Sequence, residues 1–221
     1  MARPINLLSA GVDRPGTPVA PVWPAWFFTR ADERPDAEFY APPRLVTHLD
    51  DEAIREVGRM YRDLGISGDV LDLMSSWISH FDPPPACLTV LGMNAVELAH
   101  NGAATGRVLH DLNADPQLPF PDASFEAVTC CVSIDYLVRP IEVLADVARV
   151  LRPEGLFVCT FSNRCFPTKA IRGWLVAAET DRPAIVRAYL DATGAFGDVC
   201  AELRNAGRPG DPLYAVWAER R

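Results

Sequence analysis

Two rhythms of apolar residues alternate along this chain. Short continuous apolar runs bounded by glycine or proline read as buried strands, and stretches of helical period lie between them. Asp50 or Asp51 caps a predicted helix with Ile54, Val57, Tyr61 and Leu64 on one face, stopped at Gly65. Asp69–Met74 reads as a strand, 76–82 as a short helix broken by Pro83-Pro84-Pro85, and Cys87–Gly92 as a second strand. Asn94 caps a helix through Ala99 that ends near Gly102. Arg107–Leu112 and Glu126–Val132 follow as strands three and four. Pro140 suits the first turn of a helix aligning Ile141, Leu144, Ala148 and Leu151. Pro153-Glu154-Gly155 then turns the chain into strand Leu156–Phe161. Helices are expected at 168–178 and 183–192, and strands at about 198–203 and 213–219.

Five alternations of strand and helix predict a mainly parallel sheet covered on both faces. The last two strands are joined by Arg208-Pro209-Gly210-Asp211-Pro212, too short for a crossover, so the final strand must run antiparallel. No internal repeat or low-complexity run interrupts the pattern.

Residues 1–43 break it. They hold eight of the twenty prolines, with Trp23, Trp26, Phe27, Phe28, Phe39 and Tyr40 between them. Such proline density excludes regular helix or central strand. The aromatics argue for packing: an arm over the apolar surface at 1–30, and a candidate lid over a pocket at 36–48. The expected division is residues 1–48 as arm and possible lid, and 49–221 as the main domain.

Composition narrows the function classes. A chain of 221 residues with 49% hydrophobic and 23% charged residues suits one soluble domain with an extension. A net charge of −8 argues against a nucleic-acid binder, which needs clustered Lys and Arg. The six cysteines show no Cys-x-x-Cys pair, so no metal site is expected. Cys130, Cys131 and Cys159 lie in strand-like runs and read as reduced thiols of a cytoplasmic protein. The N-terminus lacks a signal-peptide core, and no run approaches membrane-spanning length.

The chemistry concentrates after the first strand. Val70-Leu71-Asp72 is a buried strand ending in an acid, which in nucleotide-binding folds runs into a glycine-rich turn; here Met74-Ser75-Ser76-Trp77-Ile78-Ser79-His80 follows. Glycines recur there because they tolerate positive φ and let backbone approach a ligand. An ordinary residue forced into that conformation costs about 1–3 kcal/mol.

The segment Leu118-Pro119-Phe120-Pro121-Asp122-Ala123-Ser124-Phe125, its strand and the Pro140 helix resemble class I S-adenosylmethionine-dependent methyltransferases of the type 11 group, as does Arg149-Val150-Leu151-Arg152-Pro153-Glu154-Gly155. The resemblance spans about 66–218. Arg44-Leu45-Val46, His48-Leu49-Asp50, Leu73-Met74-Ser75-Ser76-Trp77 and Ser162-Asn163-Arg164-Cys165-Phe166-Pro167 are similar to a little-characterised branch with an altered glycine loop. It implies a Rossmann-like α/β fold with a mainly parallel seven-stranded sheet, an antiparallel last strand and helices on both faces.

It also implies S-adenosylmethionine as cofactor. Asp72 then holds the methionyl ammonium, Met74, Ser76 and Ile78 stand at the glycine positions, and Ser75 and Ser76 offer hydroxyls and amides to the carboxylate at a helix N-terminus. Asn94, after Gly92-Met93, takes the ribose position, and Asp111 with the Leu112 amide reads the adenine edge. Cys131 and Val132 flank the sulfonium. Candidate bases at the acceptor end are Asp135 first, because the loop after strand four faces the acceptor, with Tyr136 and His80. His110 reads as structural. Arg44 and Arg164 are candidates for an acidic acceptor or the cofactor carboxylate, and Cys165 as a nucleophile lacks a nearby histidine. The expected function is methyl transfer to O or N of a small molecule. The alternative is a catalytically inactive binding or assembly protein that kept the fold. A dinucleotide-linked oxidoreductase is disfavoured because Gly-x-Gly-x-x-Gly is absent.

Overall fold

A computed structural model describes residues 23–221, so residues 1–22 of the arm expected at 1–30 lie outside the described residues. The elements, in order, are α1 (Asp36–Phe39), α2 (Asp51–Asp63), β1 (Asp69–Leu73), β2 (Cys87–Gly92), α3 (Ala95–His100), β3 (Gly106–Leu109), β4 (Phe125–Cys131), α4 (Pro140–Val150), β5 (Leu151–Phe161), α5 (Arg172–Val176), α6 (Arg182–Thr193), β6 (Cys200–Leu203) and β7 (Tyr214–Glu219).

The strands form one seven-stranded sheet in the order β3-β2-β1-β4-β5-β7-β6. β1 to β5 are parallel, and β7 runs antiparallel between β5 and β6, as the short connection requires. Successive residues of β1 serve opposite faces. Leu71 and Leu73 enter the core under α4 and α6, while Val70 enters the one under α2 with Val57, Met60 and Tyr61. Strand order reverses between β1 and β4, and a crevice opens at their carboxyl ends, where ligands bind in open α/β sheets.

Four expectations differ. Within the proline-rich segment, where no regular helix is expected, one helical turn forms as α1 in the proline-free stretch between Pro35 and Pro42. No helix forms at 76–82; residues 74–86 cross from β1 to β2 as irregular chain. The Ser75 amide continues the ladder onto the Leu91 carbonyl (2.8 Å), and the hydroxyls of Ser75 and Ser79 turn back onto Asp72. Side chains that bond locally in this way draw the backbone out of helical geometry. The turn Pro153-Glu154-Gly155 lies inside β5, where the register jumps from Phe125↔Leu151 to Ala127↔Leu156. The helix predicted over 168–178 shrinks to Arg172–Val176 because its backbone is spent on the N-terminal segment. Asp32 N donates to Thr168 O (2.9 Å), Arg172 N to Thr29 O (2.7 Å) and Gly173 N to Phe27 O (2.8 Å).

Phe27 is fully buried, and Trp23 packs on Tyr189 of α6 with ring centroids 5.1 Å apart. A Cβ on Gly173 would collide with the Phe27 ring, so glycine is required where the segment crosses α5. Burying each such aromatic is worth about 1.5–3 kcal/mol. No helix among the described residues is long and apolar enough to cross a membrane.

Candidate active site

The crevice is a cavity of about 530 Å³, within the range of small-molecule sites. Of the thirteen residues singled out as catalytic or cofactor-binding, Asp72, Met74, Ser75, Ser76, His80, Met93, Asn94, Asp111, Leu112, Cys131, Val132 and Tyr136 line it. Asp135 does not.

Asp72 anchors the floor. It is buried, and its Oδ2 accepts hydrogen bonds from the hydroxyls of Ser75 (2.7 Å) and Ser79 (2.6 Å), its Oδ1 from Thr129 (2.8 Å). Burial pushes its pKa up, against those three hydroxyls. Met74 takes φ = 53°, the glycine-like conformation, with its side chain in the cavity wall. Val132 opposite has φ = 46°, a strained value for a β-branched residue, so strain gathers at the ends of β1 and β4. A Cβ on Gly92 would strike the Ser75 carbonyl, which explains glycine at the end of β2.

The expected grip by Ser75 and Ser76 hydroxyls needs correction. Ser75 donates to Asp72, and Ser76 donates to Glu97 Oε2 at 2.6 Å. No helix N-terminus follows β1. The amides of Ser76, Trp77 and Ile78, however, donate to no described residue, and all three residues line the cavity.

Asn94 caps α3, its Oδ1 accepting from Val96 N (3.0 Å) and Glu97 N (3.1 Å), while its amide nitrogen holds Tyr40 O (2.9 Å) and Ala41 O (3.0 Å). The expected cap exists, and both ends of the side chain are committed within the fold. Glu97, three residues on, was missed by sequence reading and lines the cavity. Its signal was the Asn94-x-x-Glu97 spacing of a capping box, which sets the fourth residue beside the cap.

Asp111 Oδ1 accepts the amides of Asn113 (3.0 Å) and Ala114 (3.2 Å), a turn-starting role. Its Oδ2 and the Leu112 amide have no partner among the described residues, so an acceptor and a donor stand free on neighbouring groups. His110 bonds the Asp115 carbonyl through Nε2 at 2.8 Å, consistent with its structural reading.

Asp135 is the main departure. It sits in a 3-10 turn, Ile134–Tyr136, with its carboxyl buried near Arg182 and Oδ2 unpaired. Burial raises its pKa to about 7. The turn rotates Tyr136 into the cavity and Asp135 beneath it, so the loop after β4 presents the other residue. The Tyr136 hydroxyl accepts the Phe166 amide at 2.8 Å, and burial, then the nearby Asp135, raise its pKa against that bond.

His80 faces the cavity with Nδ1 buried and unpaired, its pKa lowered to about 4 by burial and by His48. Cys165 is a poor nucleophile: burial, then Asp135, push its thiol up. Burial also pushes Cys131 to about 12.

Residues 36–48, the candidate lid, contribute Asp36, Tyr40, Arg44, Val46, Thr47 and His48 to the wall. They are tied across it by Arg44 N to Glu97 Oε1 (2.7 Å) and Trp77 Nε1 to Val46 O (3.0 Å).

The sequence pattern of the family described as "Methyltransferase domain" matches residues 79–159. A stretch of 56 residues is 46% identical to demethylmenaquinone methyltransferase of Mycobacterium sp. (strain KMS), covering 24% of this chain and 24% of that relative. The match thus spans about a quarter of that relative's length. Among solved structures, a SAM-dependent methyltransferase from Archaeoglobus fulgidus is similar with a TM-score of 0.56 at 14% identity, over 76% of this chain and 94% of that one. The [4+2]-cyclase SpnF is similar with a TM-score of 0.56 at 14% identity, over 81% and 88%.

Proposed function

We propose that this chain, which has the class I methyltransferase fold and carries the methyltransferase-domain pattern, is an S-adenosylmethionine-dependent methyltransferase acting on O or N of a small molecule. The observation that carries the reading is the set of groups lining one cavity without a partner among the described residues: Asp111 Oδ2 and the Leu112 amide, and the amides of Ser76, Trp77 and Ile78. An adenine edge offers a donor beside an acceptor, and a methionyl carboxylate takes amide hydrogens, so the residues fit the cofactor.

In this reading Asp111 and Leu112 hold the adenine, and Glu97, whose carboxylate oxygens each keep a lone pair beyond the bonds from Arg44 N and Ser76, takes the place of Asn94 in accepting from the ribose hydroxyls. The amides of 76–78 hold the carboxylate, and Asp72 the ammonium. Met74, Ser75, Met93, Cys131 and Val132 shape the wall around them. When bound, the cofactor supplies an electrophilic methyl group on a sulfonium. The chain aligns the acceptor and excludes water, which for an in-line displacement is most of the task. Residues 36–48 act as the lid. His80, which lines the cavity and is kept neutral by burial, replaces Asp135 as the proton acceptor, and the Tyr136 phenol orients the acceptor while staying protonated. The cysteines, all free, suit a cytoplasmic setting.

Isothermal titration with S-adenosylmethionine and S-adenosylhomocysteine is expected to give micromolar dissociation constants. No heat and no thermal shift at millimolar ligand would favour the second reading, a non-catalytic binding or assembly protein, which the three hydroxyls already satisfying Asp72 speak for. Asp111→Ala is expected to weaken cofactor binding at least tenfold; an unchanged constant would show that the adenine sits elsewhere.

A further inference from the structure

The cations at the cavity are unequal. Arg164 is bound by Asp211 at 2.8 Å, and the buried Arg30 is spent on Asp36 at 2.7 Å. Arg44, which lines the cavity, has no carboxylate partner among the described residues. Among the described residues its guanidinium donates only to the carbonyls of Phe39 (2.8 Å) and Pro42 (3.2 Å). Glu97 takes the Arg44 backbone amide and makes no ion pair with the guanidinium.

The group is nevertheless held in place. It lies over the Phe39 ring at 4.5 Å, with Phe166 at 5.5 Å and Tyr40 at 5.8 Å. A guanidinium fixed on aromatic faces with free N–H groups is preorganised for a planar oxyanion, because its fork matches a carboxylate. Tyr40, Tyr136 and Phe166 extend the same wall into the cavity and suit a flat apolar body. His48 packs edge-on against Phe166 at 5.2 Å. It is lowered by burial, raised by Glu97 and lowered by Arg44, so it senses charge gained or lost beside the guanidinium.

We infer that the methyl acceptor is a small aromatic molecule carrying a carboxylate, with that carboxylate paired to Arg44 and its ring against Tyr40, Tyr136 and Phe166. The inference rests on the methyltransferase reading of the same cavity and names its substrate class.

The test uses the full chain saturated with S-adenosylhomocysteine, titrated calorimetrically with 4-hydroxybenzoate and its neutral counterpart 4-hydroxybenzamide. The acid is expected to bind at least tenfold more tightly. Arg44→Gln should reduce the acid to the level of the amide, Arg44→Lys should keep part of the preference, and S-adenosylhomocysteine affinity should be the same in all three proteins. The chain has four histidines, so His48 can be followed by NMR and assigned with His48→Gln. The acid should raise its titration midpoint in the parent protein and leave it unmoved in Arg44→Gln. Equal binding of acid and amide, a preference that survives Arg44→Gln, or no acid binding by a protein that binds S-adenosylhomocysteine would each overturn the assignment. If S-adenosylhomocysteine itself fails to bind, the cofactor reading fails. The acid–amide comparison on the free protein then decides the Arg44 site by the same criteria.

Discussion

Asp36→Ala is expected to lower the free energy of unfolding by about 3–5 kcal/mol, the cost of leaving a buried charge without its counterion. Asp36, in α1, is 4% exposed, and Arg30 Nη1 donates to its Oδ1 at 2.7 Å and its Oδ2 at 2.8 Å. Lys169 Nζ, whose side chain is fully buried, lies 3.0 Å from the same carboxylate, and Asn113 Nδ2 donates to it at 2.7 Å. Burial pushes this carboxyl up, but the bonds from Arg30, Asn113 and Lys169 outweigh it and hold the group ionised below its ordinary value. Removing it leaves two buried cations facing each other, with Asp32 at 3.6 Å the remaining carboxylate near Lys169. For a chain of this size the melting temperature should fall by roughly 10 °C. Asp36→Asn, which keeps one acceptor oxygen, should fall between the two. A melting temperature within 2 °C of the parent, or so, would show that the cluster is solvated and weak.

The second large effect has the opposite sign. Asp135→Asn is expected to stabilise the protein at pH 8 relative to pH 4. The carboxyl has a folded-state pKa of about 7 against an ordinary 3.8, because burial disfavours the anion more than its own backbone and Arg182 restore it. A raised carboxyl pKa means that the folded state holds the proton more tightly. Below about pH 4 both states are protonated and nothing is lost. From pH 4 to 7 the unfolded chain releases its proton and the folded one does not, so stability declines; above 7 the loss is complete. The difference between variant and parent should therefore grow by about 3–4 kcal/mol from pH 4 to pH 8. Any cost of placing an amide there is the same at both pH values and drops out of the comparison. Urea unfolding at the two pH values measures it, and a pH-independent difference would mean that Asp135 is hydrated.

What the sequence discloses follows from how local each cause is. The apolar runs that became β1, β2, β4 and β5 carry their own signal, and the short Arg208–Pro212 connection dictated the antiparallel β7. Asp50 as cap of α2, with Ala53 N at 2.9 Å, and Asn94 as cap of α3 are equally local. The 76–82 segment misled because its spacing suits a helix, whereas Asp72, Gly92 and Asn101 decide its path. Asn101 clasps the Ser76 carbonyl (3.1 Å) and the Ser79 hydroxyl (2.9 Å) from 22 or more residues away. Asp135 and Tyr136 are neighbours in the loop after β4, and one residue of rotation in a 3-10 turn decides which side chain lines the cavity; no sequence period encodes it. The proline and aromatic pattern of 36–48 marked a segment that could cover a pocket, but which of its side chains line the wall (Asp36, Tyr40 and His48), and that Tyr61 of α2 joins them, is decided by tertiary packing.

The rim of the cavity is consequently uneven ground for redesign. Asp36 is at once part of the wall and the fastening for Lys169 and Arg30, so altering it to change ligand shape would unpin the aromatic segment that Phe27 seats on α5. Tyr40 and His48, a few positions along, carry no such duty toward buried cations. A library aimed at new acceptors should diversify those two and leave the acid untouched.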